Sequence, residues 1–167
     1  LPVTIDIGSE FRYRENFIDK NSLGLVISQS GETMDTLESL KKLKKHNVVN
    51  VSIVNVINSS IARLSDYIFP TLAGPEIGVA STKAFTAQLA VLLLLALHIN
   101  NQKKSLRKNK YKNDFKSIFS IHKQIKSVLL NTQNIKKISE SLIKSKSIFF
   151  IGRGIMYPLA LEGALKL

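Results

Sequence analysis

A chain of 167 residues with 44% hydrophobic and 22% charged side chains is long enough to bury a core and has the composition of a globular protein. It contains no cysteine, which excludes a disulfide scaffold and fits a reducing, cytoplasmic compartment. Its longest apolar run, 89–97, is shorter than the roughly 20 residues that span a bilayer, so we expect a buried helix there and no membrane partner.

The net charge of +12 comes entirely from the second part of the chain. Residues 1–100 hold nine basic and nine acidic side chains, whereas residues 101–167 hold 15 basic and three acidic ones. The lysines are interleaved with Asn and Ile, which is typical of a solvated helical face. No nucleic-acid-binding module is recognisable, so we expect no nucleic-acid partner.

Apolar runs and periodic stripes alternate along the chain and predict its elements in order. Strands are predicted at 2–7, 23–27, 48–56, 66–70 and 147–151. Helices or helical turns are predicted at 9–14, 34–45, 58–64, 82–100, 115–129, 135–143 and 157–167. The helix at 82–100 is apolar almost all round, so it should be buried. The alternation predicts an α/β fold in which a parallel sheet carries helices on both faces.

The junction between the strand at 23–27 and the following helix is rich in hydroxyl groups. Ser28, Ser30 and Thr33 supply three of them, and Gly31 allows the backbone to approach a ligand closely. Free N–H groups and the helix dipole favour an anion at such a turn, which indicates a cradle for a phosphate monoester. The alternative is a helix cap with no ligand, since serine and threonine also cap helices.

Four segments resemble known motifs in a fixed order. The hexapeptide Ser28-Gln-Ser-Gly-Glu-Thr33 resembles the phosphate loop of sugar isomerase (SIS) domains. The segment Glu76-Ile-Gly-Val-Ala-Ser-Thr-Lys-Ala-Phe-Thr-Ala-Gln-Leu89 is similar to a signature of the glucosamine-6-phosphate synthase family. The further matches are Ser9-Glu-Phe-Arg-Tyr-Arg14 and Gly152-Arg-Gly with Leu161-Glu-Gly-Ala-Leu-Lys166. The resemblance covers the chain except about 101–146 and implies a three-layer αβα SIS-type fold with a flavodoxin- or Rossmann-like parallel sheet.

The resemblance also implies an activity, the conversion of fructose 6-phosphate and ammonia to glucosamine 6-phosphate. The ammonia would come from a separate glutaminase domain. Matching motifs imply that Ser28, Gln29, Ser30 and Thr33 hold the phosphate and the sugar hydroxyls, that Val79 and Ser81 line the sugar pocket, and that Lys166 assists proton movement. No two of the three histidines have metal-ligand spacing. Gly152-Arg-Gly lacks the rest of a dinucleotide fingerprint, so we expect no metal and no cofactor.

The domain organisation implied is one SIS lobe and the beginning of another. Residues 1–100 would form most of the first lobe, 101–146 a helical connection, and 147–167 the start of a truncated second lobe. The chain begins without Met and stops within a predicted helix, so we expect it to be part of a longer protein. The family's Gly-Thr-Ser turn, catalytic carboxylate, later histidine and imine-forming lysine have no match here. We therefore expect the parent to be an enzyme and this piece alone to be inactive. We also expect the parent to be a homodimer, because the resemblance implies paired lobes and the apolar helix at 82–100 could bury against another lobe.

Two other functions share the same phosphate loop. A sugar-phosphate-sensing SIS regulator would carry a helix-turn-helix before the lobe, and this sequence shows none. A sugar-phosphate deaminase or deglycase of the same superfamily stays open, although the segment 76–89 fits the synthase better.

Overall fold

The computed structural model describes residues 2–102 and 108–167, and it divides into two units, Leu1–Ile99 and Asn100–Leu167. The first unit holds three strands, β1 (Leu23–Ser28), β2 (Val49–Val54) and β3 (Tyr67–Pro70). Its helices are α1 (Gly8–Phe11), α2 (Met34–Lys45) and α3 (Ser60–Leu64), and α4 (Lys83–Gln102) runs on past its end.

The three strands form one parallel sheet in the order β1-β2-β3. Leu23 lies opposite Val49, and Val51 lies opposite Tyr67. Each parallel connection passes through a helix, as such pairs require. The prediction of strand, loop, helix and strand across 23–56 is confirmed, and the carboxyl ends of the strands meet at one edge.

The core of the first unit lies between the sheet and the helices α2 and α3. Leu40 on α2 and Ile61 on α3 are fully buried, and they belong to one cluster with Val26 and Val54 of the sheet. Each such aliphatic side chain contributes roughly 1.5–3 kcal/mol relative to exposure. The apolar residues spaced three apart on α2, Leu40 and Leu43, therefore pack against the sheet. This packing fixes where α2 begins relative to the end of β1.

Two predicted strands are absent from the structure. Residues 2–7 and 147–151 have no strand pairing, and Val3, Ile5 and Ile7 are 80%, 91% and 68% exposed. Alternating apolar residues fit a strand, but a strand forms only where a neighbouring strand exchanges hydrogen bonds with it. Within the described ranges neither segment has such a neighbour, so both predictions are wrong for this structure.

The predicted burial of the apolar helix α4 is also wrong for this chain. Only Ala84 and Leu97 are buried along it, while Leu89, Leu93 and Leu94 are 38–46% exposed. By length and composition alone α4 is able to cross a membrane, and 6% of its apolar window is buried. A soluble core helix passes the same test, so this is weak support for a membrane segment. An apolar composition shows that a helix favours burial, but it does not supply the surface that buries it.

The second unit contains α5 (Lys108–Leu130), α6 (Thr132–Leu142) and α7 (Met156–Lys166). The basic stretch predicted to be helical and exposed is helical over most of its described part, and the side chains of 112–146 are mainly exposed. Residues 103–107 of that stretch lie outside the described residues. The ring of Phe150 packs against Gly163 of α7, where a Cβ atom would come within 2.7 Å of it.

Candidate functional site

The hydroxyl loop, residues 28–33, lies at the carboxyl edge of the sheet because β1 ends at Ser28 and α2 begins at Met34. Parallel sheets of this class bind ligands at that edge. Ser28 Oγ and Thr33 Oγ1 are 3.0 Å apart, so one hydroxyl donates to the other. Ser28 is 5% exposed, whereas Thr33 is exposed. The two hydroxyls therefore lie together where β1 ends and α2 begins.

The hydroxyl groups of the loop do not cap α2. Thr33 occupies the N-cap position, yet its side chain makes no capping hydrogen bond. The N–H of Gly31 donates to Ser28 Oγ at 3.0 Å, and that of Glu32 donates to Ser30 Oγ at 3.1 Å. The first-turn N–H groups of α2 therefore lack a side-chain cap, and the helix dipole favours an anion beside them.

Gly31 holds the hydroxyl loop against the start of α3. Its φ is +67°, and a Cβ atom there would lie 1.9 Å from Ser59 Oγ. The carbonyl of Gly31 accepts a hydrogen bond from the N–H of Ile61 at 3.0 Å. Only glycine satisfies both the positive φ and this close approach.

The carboxylate of Glu32 makes a second contact with α3. Its Oε1 accepts a hydrogen bond from the N–H of Ser60 at 2.7 Å. This bond, followed by one from the Ser60 side chain, lowers the pKa of Glu32. Glu32 thus satisfies a helix N-terminal donor of α3 and ties the hydroxyl loop to that helix.

Asn55, which directly follows β2, contacts two segments of the predicted site. Its N–H donates to the carbonyl of Gln29 at 3.1 Å. Its Oδ1 accepts from the N–H of Ala73 at 2.9 Å and from Thr71 Oγ1 at 3.1 Å, and its Nδ2 donates to the carbonyl of Gly74 at 2.8 Å. Asn55 lies in none of the four sequence motifs. The sequence signal for Asn55 is its position: it is a polar residue directly after an apolar strand, at the same edge of the sheet as Ser28.

The residues predicted to line the sugar pocket lie in the segment 71–82, which leads into α4. Ser81 Oγ donates to Glu76 Oε2 at 2.9 Å and accepts from the N–H of Phe85 at 3.1 Å. Val79 is fully exposed. Among the described residues, no hydrogen bond joins this segment directly to the hydroxyl loop; Asn55 makes the connection. The structure therefore places Ser81 in an ordered turn and Val79 at its surface.

Glu76 organises that turn by accepting several hydrogen bonds at the start of α4. Its Oε1 accepts from the N–H of Thr82 at 2.8 Å and from Thr82 Oγ1 at 2.9 Å, and a longer bond comes from the N–H of Ala84. The backbone bond from Thr82, with smaller contributions from the hydroxyls of Ser81 and Thr82, lowers the pKa of Glu76 to about 2. Glu76 was part of the motif recognised in the sequence, but this role was not predicted.

The ionised carboxylate of Glu76 is expected to make the stability of the fold depend on pH. The folded state lowers the pKa of Glu76 from 4.5 to about 2, so its stabilisation is complete above about pH 4.5 and disappears as the pH falls through 2. Glu76→Gln should lower the denaturant midpoint at pH 7, and its difference from the wild type should shrink between pH 4.5 and 2. Glu15→Gln is the control, because the exposed Glu15 makes no hydrogen bond or ion pair within the described ranges. A difference between wild type and Glu76→Gln that does not change with pH would contradict this role.

Lys166 lies in the second unit, in the last turn of α7. Its Nζ is 2.8 Å from Glu162 Oε1, one helical turn earlier, and its side chain is about a third exposed. Glu162 was missed in the sequence, although an i,i+4 spacing of opposite charges was its signal. Lys166 is thus a helix lysine paired with a carboxylate of the preceding turn.

A different cleft of about 360 Å³ opens at the amino edge of the sheet. Three of its polar side chains are paired with one another: Asp66 Oδ2 accepts from the N–H and the Nδ2 of Asn50, and Lys44 Nζ lies 3.7 Å from Asp66 Oδ1. These groups tie the starts of β2 and β3 together. The carboxyl edge is the better candidate, because the hydroxyls there belong to a loop between a strand and an uncapped helix.

Comparison with known proteins agrees with the fold and with the motifs. The sequence profile of the SIS domain matches residues 1–98. The chain is 47% identical over 167 residues to glutamine–fructose-6-phosphate aminotransferase (isomerizing) from Bradyrhizobium diazoefficiens and 48% identical over 168 residues to that of Rhizobium meliloti. All of this chain matches each of them, but it spans only 28% of their length.

A solved structure shows the same likeness in three dimensions. It is the C-terminal domain of glucosamine-fructose-6-phosphate aminotransferase from Francisella tularensis, with a TM-score of 0.95 and 47% identity. The superposition covers 99% of this chain and 47% of that one. The resemblance drawn from the four motifs is confirmed, and so is the SIS-type fold. The chain belongs to the SIS domain family.

Proposed function

We propose that this chain is the sugar-phosphate-binding part of a glutamine–fructose-6-phosphate aminotransferase. The observation that carries the proposal is the position of Ser28 and Thr33, whose hydroxyls lie 3.0 Å apart between the end of β1 and the uncapped start of α2. A phosphate there would accept hydrogen bonds from hydroxyls and from main-chain N–H groups at once. The N–H groups of Ser30 and Thr33 have no acceptor among the described residues, which supports this use.

In this proposal each predicted residue has a defined role. Ser28, Gln29, Ser30 and Thr33 hold the phosphate and nearby sugar hydroxyls. Val79 and Ser81 line the sugar pocket, and Lys166 assists proton transfer between the first two sugar carbons. No metal or other cofactor has a role in these steps.

The remaining parts of the proposal concern the parent protein. A glutaminase domain supplies ammonia, which replaces the carbonyl oxygen of fructose 6-phosphate to give glucosamine 6-phosphate. Residues 1–100 form most of one SIS lobe, 101–146 connect the lobes, and 147–167 begin the second. The parent acts in the cytoplasm as a homodimer; the exposure of the leucines of α4, which a second copy would bury, supports this association.

Ligand titration of the intact protein tests this function. Fructose 6-phosphate should bind, inorganic phosphate should compete with it, and fructose should bind at least tenfold more weakly, because each charge-assisted hydrogen bond contributes roughly 1.5–3 kcal/mol. Supplied with glutamine, the parent protein with its glutaminase domain should form glucosamine 6-phosphate. Equal affinity for fructose and fructose 6-phosphate would contradict the proposal, and ammonia release from glucosamine 6-phosphate without glutamine-dependent synthesis would favour a deaminase.

A further inference from the structure

Asn55 is held between two segments that are far apart in sequence. Its main-chain N–H bonds the Gln29 carbonyl of the hydroxyl loop, while its side chain bonds the turn at 71–74. We infer that Asn55 is a positioning residue that sets the sugar-lining segment 71–82 relative to the hydroxyl loop. This inference rests on the proposed function, because it gives Asn55 a role in binding the sugar rather than the phosphate.

An amide side chain suits this position because it both accepts and donates. Oδ1 accepts from Ala73 and Thr71, and Nδ2 donates to the carbonyl of Gly74. A carboxylate would keep the two accepted bonds but would lose the donor and face the Gly74 carbonyl with a negative charge. The bond to Gln29 comes from the main chain, so a change of side chain leaves it in place. Thr71 also keeps its main-chain bond to the carbonyl of Val54, so substitution at Asn55 loosens the segment beyond Thr71 without releasing the hydroxyl loop.

Little apolar packing holds the segment 71–82. Leu72 is 82% exposed, Ile77 is 98% exposed, and Val79 is fully exposed. Polar contacts at its two ends remain: Asn55 holds 71–74, and Glu76 holds the turn that begins α4. Among the described residues Glu76 bonds groups within eight positions of itself, and the N–H of Thr71 bonds the carbonyl of Val54 at 3.0 Å. Beyond Thr71, the side chain of Asn55 is therefore the contact that relates the segment to the carboxyl edge.

The test compares two ligands in the intact protein. Asn55→Ala should raise the dissociation constant for fructose 6-phosphate about fivefold. This is the change expected when binding loses the contribution of roughly one neutral hydrogen bond. Competition by inorganic phosphate should change less than twofold, because the hydroxyl loop keeps its main-chain bond. Asn55→Asp should fall between wild type and Asn55→Ala. Asn58→Ala is the matched control, since Asn58 lies exposed in the same connection and its side chain makes no hydrogen bond in the part of the chain that the structure describes.

Amide hydrogen exchange tests the contact between Asn55 and the turn at 71–74 in the absence of a ligand. In Asn55→Ala the N–H of Ala73 should exchange faster, while that of Gly31, which bonds Ser28, should keep its wild-type rate. Unchanged fructose 6-phosphate affinity in Asn55→Ala, or an equal loss for inorganic phosphate, would overturn the inference. Failure of the wild-type protein to prefer fructose 6-phosphate to fructose would instead contradict the proposed function. In that case the role in sugar positioning would fall with it, and faster exchange at Ala73 would show only that Asn55 holds the turn at 71–74.

Discussion

Gly31→Ala is expected to remove most of the affinity for fructose 6-phosphate, about a hundredfold. Its Cβ atom would lie 1.9 Å from Ser59 Oγ and 2.4 Å from Ser59 Cβ, so the hydroxyl loop and α3 have to separate. Ser59 is 1% exposed and its Oγ accepts from the N–H of Ala62, which prevents an easy retreat. Displacing the loop loses at least two charge-assisted hydrogen bonds to phosphate, each roughly 1.5–3 kcal/mol, and every 1.4 kcal/mol is tenfold.

Stability should fall together with affinity. An alanine in the left-handed region costs roughly 1–2 kcal/mol, and overpacking adds about 1–3 kcal/mol. Titration with fructose 6-phosphate and a denaturant midpoint, both on the intact protein, measure the two losses.

Two further variants separate the steric clash from backbone strain. Gly154 has a φ of +58°, and no atom lies within 4 Å of where a Cβ atom would be. Gly154→Ala therefore introduces backbone strain without a steric clash, and it should leave the affinity for fructose 6-phosphate unchanged. Ser59→Gly removes the atoms that the new methyl group meets, at a capping cost of only a few tenths of a kcal/mol. The double variant Gly31→Ala with Ser59→Gly should therefore recover part of the lost affinity. If the double variant bound no better than Gly31→Ala, the close contact with Ser59 would not be the cause.

The centre of the fold was predictable because its signals are local. An apolar run before Ser28 and a three-residue stripe after Thr33 define a strand, a turn and a helix within about twenty residues. The positions of Leu40 and Leu43 on one helical face also predict which side packs against the sheet. For the same reason the sequence alone indicates the hydroxyl loop as a candidate site.

The incorrect predictions all depended on surfaces far away in sequence. The segments 2–7 and 147–151 have strand-like residues, but pairing needs a neighbouring strand and not only a propensity. The helix α4 is apolar enough for a core, yet its burial depends on what packs against it. Pattern and composition describe one element at a time, so they predict its secondary structure better than its partners.

Within the site, the sequence motifs identified the residues that could contact a ligand. They did not identify as well the residues that hold those ligand-contacting residues in position. Glu76 and Asn55 were missed because their roles follow from hydrogen bonds, some across 16 to 19 positions, that only the folded chain shows. Glu32 likewise bonds Ser60, 28 positions away. A glutamate after a glycine looks like helix-start electrostatics, and no local pattern indicates that it reaches another helix.

Thr33→Val is expected to weaken fructose 6-phosphate binding tenfold or more. The substitution keeps the branched shape, and valine accepts the extended backbone that Thr33 adopts at φ −64° and ψ 112°. It removes one hydroxyl that would donate to the phosphate, a bond that contributes roughly 1.5–3 kcal/mol. At 1.4 kcal/mol per factor of ten, this loss corresponds to at least about tenfold in the dissociation constant.

The fold should survive this change. Thr33 is exposed, its side chain caps no helix N–H, and Ser28 Oγ keeps its bond from the N–H of Gly31. Thr33→Ser retains the hydroxyl and should bind fructose 6-phosphate within about threefold of wild type, and the affinity for fructose should change little in either variant. Titration of all three proteins with both ligands makes the comparison. If Thr33→Val bound fructose 6-phosphate as tightly as the wild type, the hydroxyl loop would be a structural turn and not a phosphate site.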